Sequence, residues 1–444
     1  MLIRFIAKNI YSFQDQTEFS LFPGNSGELL HHTVQVNHFE LVRFSAVYGA
    51  NGSGKSNLIK AIHVLKTIVE KGTLDFPLDK LKFKLSEETQ KSPVSLGIEF
   101  LSEDTTFYYT ITFDENVILH EYLAITTHEE DHLKFERVIQ DGKQTIQLNE
   151  EYLQSERQKI FIEVISDKIL QQNELLFTFL SYKYANDFRT IVKAFRWFKK
   201  LVIVRTNEEL NQAIQFLDLF PDIKEYANSL IPKFNTGIQE IGIKKEKFEN
   251  NPENNISINE IKEDLKKRPF LRGAKIFDKK SEELISLFYE DNEFISKQIV
   301  TKRVNADGKS VEFGLSMESD GTRRLIDLIP YFYGAEKAKV VLVIDEIERS
   351  IHPLLIKKII SILSQSKTMN GQLIFTSHES NLLDLKLFRS DEIWFTEKDQ
   401  AGATRLYSLS DFKIYEDLKL ENGYLQGRFG GIPFLGKLSD LEGK

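Results

Sequence analysis

Eight consecutive residues, Gly49-Ala50-Asn51-Gly52-Ser53-Gly54-Lys55-Ser56, fill every fixed position of G-x-x-x-x-G-K-[ST]. That spacing is suited to holding phosphate. Gly52 and Gly54 lack a Cβ, so the backbone curls and turns its N–H groups toward phosphate oxygens. The start of a following helix adds partial positive charge. Lys55 neutralises the β- and γ-phosphates, and the Ser56 hydroxyl takes one place on Mg²⁺. With Asn57 next in line, residues 49–57 are the candidate site for ATP and Mg²⁺.

Three further groups carry complementary chemistry. Asp345 and Glu346 follow the apolar run Val340–Ile344. The first acid suits the water shell of Mg²⁺, and the second suits orienting and deprotonating an attacking water. His378 follows the apolar run Leu373–Phe375, where a group titrating near neutrality meets a γ-phosphate. Ser319-Asp320-Gly321 precedes a helical pattern, Leu325, Ile326, Leu328 and Ile329, and so makes either a second anion site or a capped helix start.

These groups need particular elements behind them. Val42, Phe44, Ala46 and Val47 read as a buried strand before the glycine loop, and Leu58, Ile59, Ile62, Leu65 and Ile68 recur at helical spacing after it. The first 22 residues read as two short edge strands, and Pro93–Ile139 as an antiparallel sheet. From Glu150 to Glu293 the text turns helical, except for KKLVIVRT, which can return a strand to the core. Strands resume around Ile299 and Val311. The expected organisation is therefore α/β: a β-rich lobe at 1–149 with the glycine loop, a mainly helical insertion at 150–298, and an α/β lobe at 299–444.

Composition narrows the function classes. Across 444 residues, 41% are hydrophobic, enough for a substantial core. No apolar window of about twenty residues exists, so no membrane-spanning helix is expected. The start MLIRFIAKNIYSF does not read as a signal peptide. With no cysteine, disulfides and thiolate metal sites are excluded, which fits a cytoplasmic location. A net charge of −8 argues against a general nucleic-acid coat.

Taken together, the four motifs resemble the ATPases of the ABC superfamily, in the branch of the chromosome-maintenance (SMC), Rad50 and RecF proteins. The resemblance covers roughly 1–130 and 300–444. It implies an ABC-type P-loop ATPase in which Ser319–Gly321 is the signature segment, His378 the switch histidine and Ser350–Pro353 the D-loop. His352 departs from the acid common there, and Gln90 is only a candidate for the Q-loop glutamine. The family implies head-to-tail pairing. Each ATP is held between Gly49–Ser56 of one chain and Ser319–Gly321 of another, so hydrolysis needs at least a dimer.

NIYSF, SDEIWFTEKD, RLYSLSDF and YLQGRFGGIP, together with DEIERSIHP, resemble stand-alone ATPases of bacterial abortive-infection and anti-phage systems, a group that includes the AbiL, Septu and PARIS ATPases. That resemblance implies a partner effector, a nuclease, encoded nearby. The chain itself has no D-x-D pair for a TOPRIM centre. A RecF- or SMC-like DNA-maintenance ATPase is the rival reading.

Two stretches invite other chemistry. His128-Glu129-Glu130-Asp131-His132 is a literal H-E-x-x-H, but it lies between β-like runs and reads as a polar hairpin tip rather than a zinc helix. Lys262, Lys266, Lys267, Arg268, Arg272 and Lys275 form the strongest basic cluster. They are candidates for DNA or RNA contact, against a solvated helix face.

Overall fold

The run FSAVYG offers almost no polar face to water, and in the computed structural model of the chain it is a strand buried along its whole length. The structure describes all residues except 25, 26, 76, 207–212, 249–260, 262, 264, 266–273, 279–282, 414–419 and 433–444. The chain forms two units. One comprises Met1–Thr206, Ala335–Ile347 and Ser361–Lys444, and the other Asn207–Gly334 and Glu348–Ile360.

In the first unit, β1 (Leu2–Lys8), β2 (Thr17–Ser20), β3 (Thr33–Val36), β4 (Phe39–Val42) and β5 (Phe44–Gly49) precede helix α1 (Lys55–Lys71). Next come β6 (Val94–Ser102), β7 (Thr105–Asp114), β8 (Val117–Thr126), β9 (Asp131–Gln140) and β10 (Lys143–Leu148). They form a seven-stranded sheet in the order β10-β9-β8-β7-β6-β1-β2, antiparallel throughout. The two N-terminal strands lie at one end of it, as their short alternating text predicts. Its apolar face joins α1 in a core that includes Phe5, Ile62, Leu65, Phe100, Tyr109 and Trp197.

After a helical run, β11 (Leu201–Val204) returns to the core, as the isolated KKLVIVRT run anticipates. In the second unit, β12 (Glu240–Lys247), β13 (Ala274–Asp278), β14 (Glu283–Glu290), β15 (Glu293–Val304) and β16 (Ser310–Gly314) build one antiparallel sheet. This departs from the expected mainly helical 150–298. Among the described residues, helices lie between Glu156 and Phe234, interrupted by β11, and the strands β12 to β16 come after them. Part of the reason is legible afterwards: EIGIKKEK of β12 carries Lys or Glu at most positions, which hides its apolar signal, whereas β15 and β16 fall where strands were expected, around Ile299 and Val311.

The last strands are β17 (Val341–Ile344), β18 (Gln372–Thr376), β19 (Ile393–Lys398) and β20 (Thr404–Ser408). The central sheet runs β11-β17-β18-β5-β19-β20, parallel from β11 to β19 and antiparallel at β20. Because β11, β17, β18 and β5 share one direction, their C-terminal ends gather at one edge. Ligands of open α/β sheets bind at that edge.

Candidate functional site

Four strand ends supply the site. β5 ends at Gly49 and leads into the loop, and β17 leads into Asp345 and Glu346. β18 ends at Thr376, two residues before His378, and β11 is followed by Arg205 and Thr206.

The loop is shaped by what lies against it. A Cβ on Gly49 would collide with Thr396 and with the Ser53 hydroxyl, and one on Gly54 would strike the Thr404 side chain. Gly52 and Gly54 have φ of 78° and 116°, a region that disfavours any other residue. The adjoining strands hold this shape. Ser53 Oγ lies 2.6 Å from Thr396 Oγ1, and Thr404 Oγ1 donates to the Ser53 carbonyl at 2.8 Å. Asn57 donates to Ser12 Oγ at 2.8 Å, which ties the start of α1 to the turn between β1 and β2. Lys55 is buried and donates to the carbonyls of Gly49 (2.6 Å) and Ala50 (3.1 Å).

Ser56 Oγ donates to Asp345 Oδ1 at 3.0 Å across 289 residues of sequence. The same oxygen accepts from Thr376 Oγ1 at 2.7 Å, and Oδ2 accepts from Thr206 Oγ1 at 2.7 Å. A hydroxyl and an oriented carboxylate at hydrogen-bond distance are hard oxygen donors. They fit Mg²⁺, which takes one or two protein ligands and completes its shell from phosphate and water. Among the described residues, no group of three or more His, Asp or Glu is placed to cage a metal without such help.

Glu346 has φ of +52°, a left-handed conformation costing roughly 1–2 kcal/mol for such a residue. Its N–H donates to Thr376 Oγ1 at 2.8 Å, so one threonine orients both acids. Glu346 Oε1 lies 3.7 Å from His378 Nε2, and His378 Nδ1 lies 3.3 Å from Lys55 Nζ. Burial, followed by the Lys55 ammonium, holds the His378 pKa below its ordinary value, while Glu346 and Asp345 work in the opposite direction. The imidazole is therefore neutral at pH 7. Lysine only donates, so Nδ1 accepts and the proton sits on Nε2, facing Glu346.

In the second unit, Ser319 Oγ accepts from the Thr322 N–H at 3.2 Å and caps the helix Asp320–Lys337, while Asp320 pairs with Arg323. Gly321 is small for a steric reason. A Cβ there would press on the Ser350 carbonyl, and Ser350 itself has φ of +63°. Gly321 and Ser350 thus pack together within one unit.

Some site residues lie outside the sequence reading. Thr206 is one; its signal is an apolar run ending in a polar residue, the same pattern that flags Asp345. Thr396 and Thr404, beneath the loop, are others. A cavity of about 270 Å³ beside Asn57 is lined by Tyr11, Ser12, Lys80, Lys82, Lys84 and Lys398, among others. Gln90 donates its amide to the Phe83 carbonyl at 2.5 Å. His128 lies in the turn joining β8 to β9, with His132 at the start of β9, so the H-E-x-x-H is a hairpin tip as expected. Lys262, Lys266, Lys267, Arg268 and Arg272 lie outside the described residues, and Lys275 falls on β13. No helix among the described residues is long and apolar enough to cross a membrane.

The family described as "AAA domain, putative AbiEii toxin, Type IV TA system" matches residues 44–384. Among solved structures, an SMC head domain from Thermotoga maritima is similar at a TM-score of 0.41 and 13% identity, covering 93% of this chain and 99% of that one. An Smc head domain with an extended coiled coil, bound to the C-terminal domain of ScpA derived from Pyrococcus furiosus, gives 0.42 and 13%, covering 92% and 96%. No curated protein matches.

Proposed function

The chain belongs to this AAA domain family, and on that premise we propose that it is an ABC-type ATP-hydrolysing switch that closes and opens with its nucleotide. One observation carries the reading: the Ser56–Asp345 bond of 3.0 Å, which joins the phosphate loop to the acid of a distant strand.

In this mechanism residues 49–57 wrap the phosphates of ATP, and Lys55 trades its loop carbonyls for β- and γ-phosphate oxygens. Ser56 and Asp345 would hold Mg²⁺, which would supply charge neutralisation at the phosphates. Glu346 orients the attacking water and accepts its proton. Neutral His378 presents Nε2–H to the γ-phosphate, an uncharged donor that does not compete with Lys55. The basic cavity beside Asn57 takes the nucleoside end. Ser319, Asp320 and Gly321 close over the nucleotide of a second copy, so the active form is a dimer or larger, and loss of γ-phosphate releases it.

The setting we propose is bacterial anti-phage defence, with the switch restraining a separate effector, a nuclease encoded nearby. The C-terminal strings and the toxin–antitoxin wording of the family description support this. Purified protein should hydrolyse Mg·ATP with a rate per chain that falls on dilution, and Lys55→Ala should abolish it. A strictly monomeric chain turning over at undiminished rate sinks the shared-site reading. For the setting, phage challenge of cells carrying the chain with its neighbouring gene should show protection that Lys55→Ala removes. Protection from phage with the chain alone overturns the separate effector.

A further inference from the structure

The segment Leu420–Ile432 takes no part in the mechanism above, yet it touches two sides of the phosphate site. At its far end, Gly431 lies against the first loop glycine: a Cβ on it would sit 3.5 Å from Gly49 Cα. Gly430 and Gly431 both have φ of +67°, and a Cβ on Gly430 would strike the Tyr407 hydroxyl. Two tyrosines fasten this turn. Tyr424 donates to the Gly431 carbonyl at 3.0 Å and Tyr407 to the Phe429 carbonyl at 2.9 Å. The Tyr424 ring stacks on Phe395 at 5.6 Å and meets Tyr48, the residue before Gly49, edge-on at 6.2 Å.

At its near end, Glu421 opens the helix Leu420–Leu425 and accepts a hydrogen bond from Ser380 Oγ at 2.9 Å. Ser380 lies two residues beyond His378. On the other side of His378, the Ser377 N–H donates to the Val47 carbonyl at 3.0 Å. The histidine therefore sits between an anchor on the loop-bearing strand and an anchor on this segment. Beyond His378 the chain makes the three-residue turn Ser380–Leu382, and the Ser380–Glu421 bond ties that turn to the segment, so it bears on where the imidazole sits relative to Lys55.

We infer that Leu420–Ile432 is a positioning element that sets His378 for the γ-phosphate through Ser380–Glu421, while its glycine turn braces Gly49. This rests on the ATP-switch reading. Because His378 meets only the γ-phosphate, its misplacement weakens triphosphate binding and spares diphosphate binding.

The test compares fluorescent ADP and ATPγS analogues, each with Mg²⁺, on wild type, Ser380→Ala, Glu421→Ala and Glu421→Gln, with thermal melting alongside. Ser380→Ala and Glu421→Ala should each lower the ATPγS-to-ADP affinity ratio by roughly 10- to 150-fold, the span of one hydrogen bond to a charged group. The double variant should lose no more than either single one. Glu421→Gln keeps an acceptor and should restore the ratio, with melting unchanged. An unchanged ratio in Ser380→Ala, or an equal loss for both nucleotides, overturns the inference alone. Wild-type protein that binds neither analogue overturns it together with the ATP-switch reading.

Discussion

The ammonium of Lys55 lies 3.3 Å from Nδ1 of His378, so a permanent donor fixes which nitrogen of the ring is bare. With Glu346 Oε1 3.7 Å from the other nitrogen, the imidazole sits between a cation and an anion that push its pKa in opposite directions. A titration of His378 by NMR in the nucleotide-free protein should place its midpoint below the ordinary 6.5. Lys55→Met should move the midpoint up, and Glu346→Gln should move it further down. Movement of both variants in one direction defeats the assignment. The linkage sign follows. A base with a depressed folded pKa takes up protons on unfolding, so its contribution to stability is complete above the unfolded pKa and is lost as pH falls through the folded one.

Glu346→Gln should keep Mg·ATP binding and lose turnover by about 10²–10⁴-fold, the usual worth of a general base. Trapped ATP should then hold the dimer closed, which light scattering after size exclusion reads directly. Hydrolysis at the wild-type rate removes Glu346 from its role.

Thr376→Val tests the support of both acids. The change keeps the shape of the side chain and deletes the bond to Asp345 Oδ1 and the acceptor for the Glu346 N–H. By the scale of outer-shell losses at metal sites, the Mg²⁺ concentration giving half-maximal ATPase should rise by about 10–100-fold. An unchanged Mg²⁺ dependence shows that Asp345 is held by other means.

How much of this was legible in the sequence depends on the kind of signal. Gly49–Ser56 and Asp345-Glu346 announce themselves because loop, strand and helix fall in the order their chemistry requires. β11 was visible for a related reason, an apolar island in polar text. β15 and β16 were legible too, around Ile299 and Val311; β12 was not, because EIGIKKEK carries lysine and glutamate at most positions. Thr396 and Thr404 were silent too. Their role comes from pairing across more than 340 residues, and no local pattern records which strand will lie beside a loop.

Buried charge offers the sharpest test of the fold beneath the site. The side chains of Glu121 on β8 and Arg137 on β9 are fully buried, with Arg137 Nη1 3.7 Å from Glu121 Oε2. Glu121 also accepts from the N–H groups of Leu176 and Phe177 at 2.9 and 3.0 Å, which makes it the anionic cap of the helix Leu176–Lys183. Burial raises its pKa, and Arg137 together with those N–H groups lowers it in part. Removing the carboxylate leaves a buried guanidinium without its counter-ion and two helix N–H groups without an acceptor. Glu121→Ala should therefore destabilise the protein by about 3–5 kcal/mol, the scale for breaking one side of a buried pair. Glu121→Gln keeps an acceptor for the helix but not the charge, and should cost less than Glu121→Ala. Denaturant titration of both variants gives the comparison. Equal losses would assign the whole effect to the ion pair and none to the cap, because only the charge is missing from both.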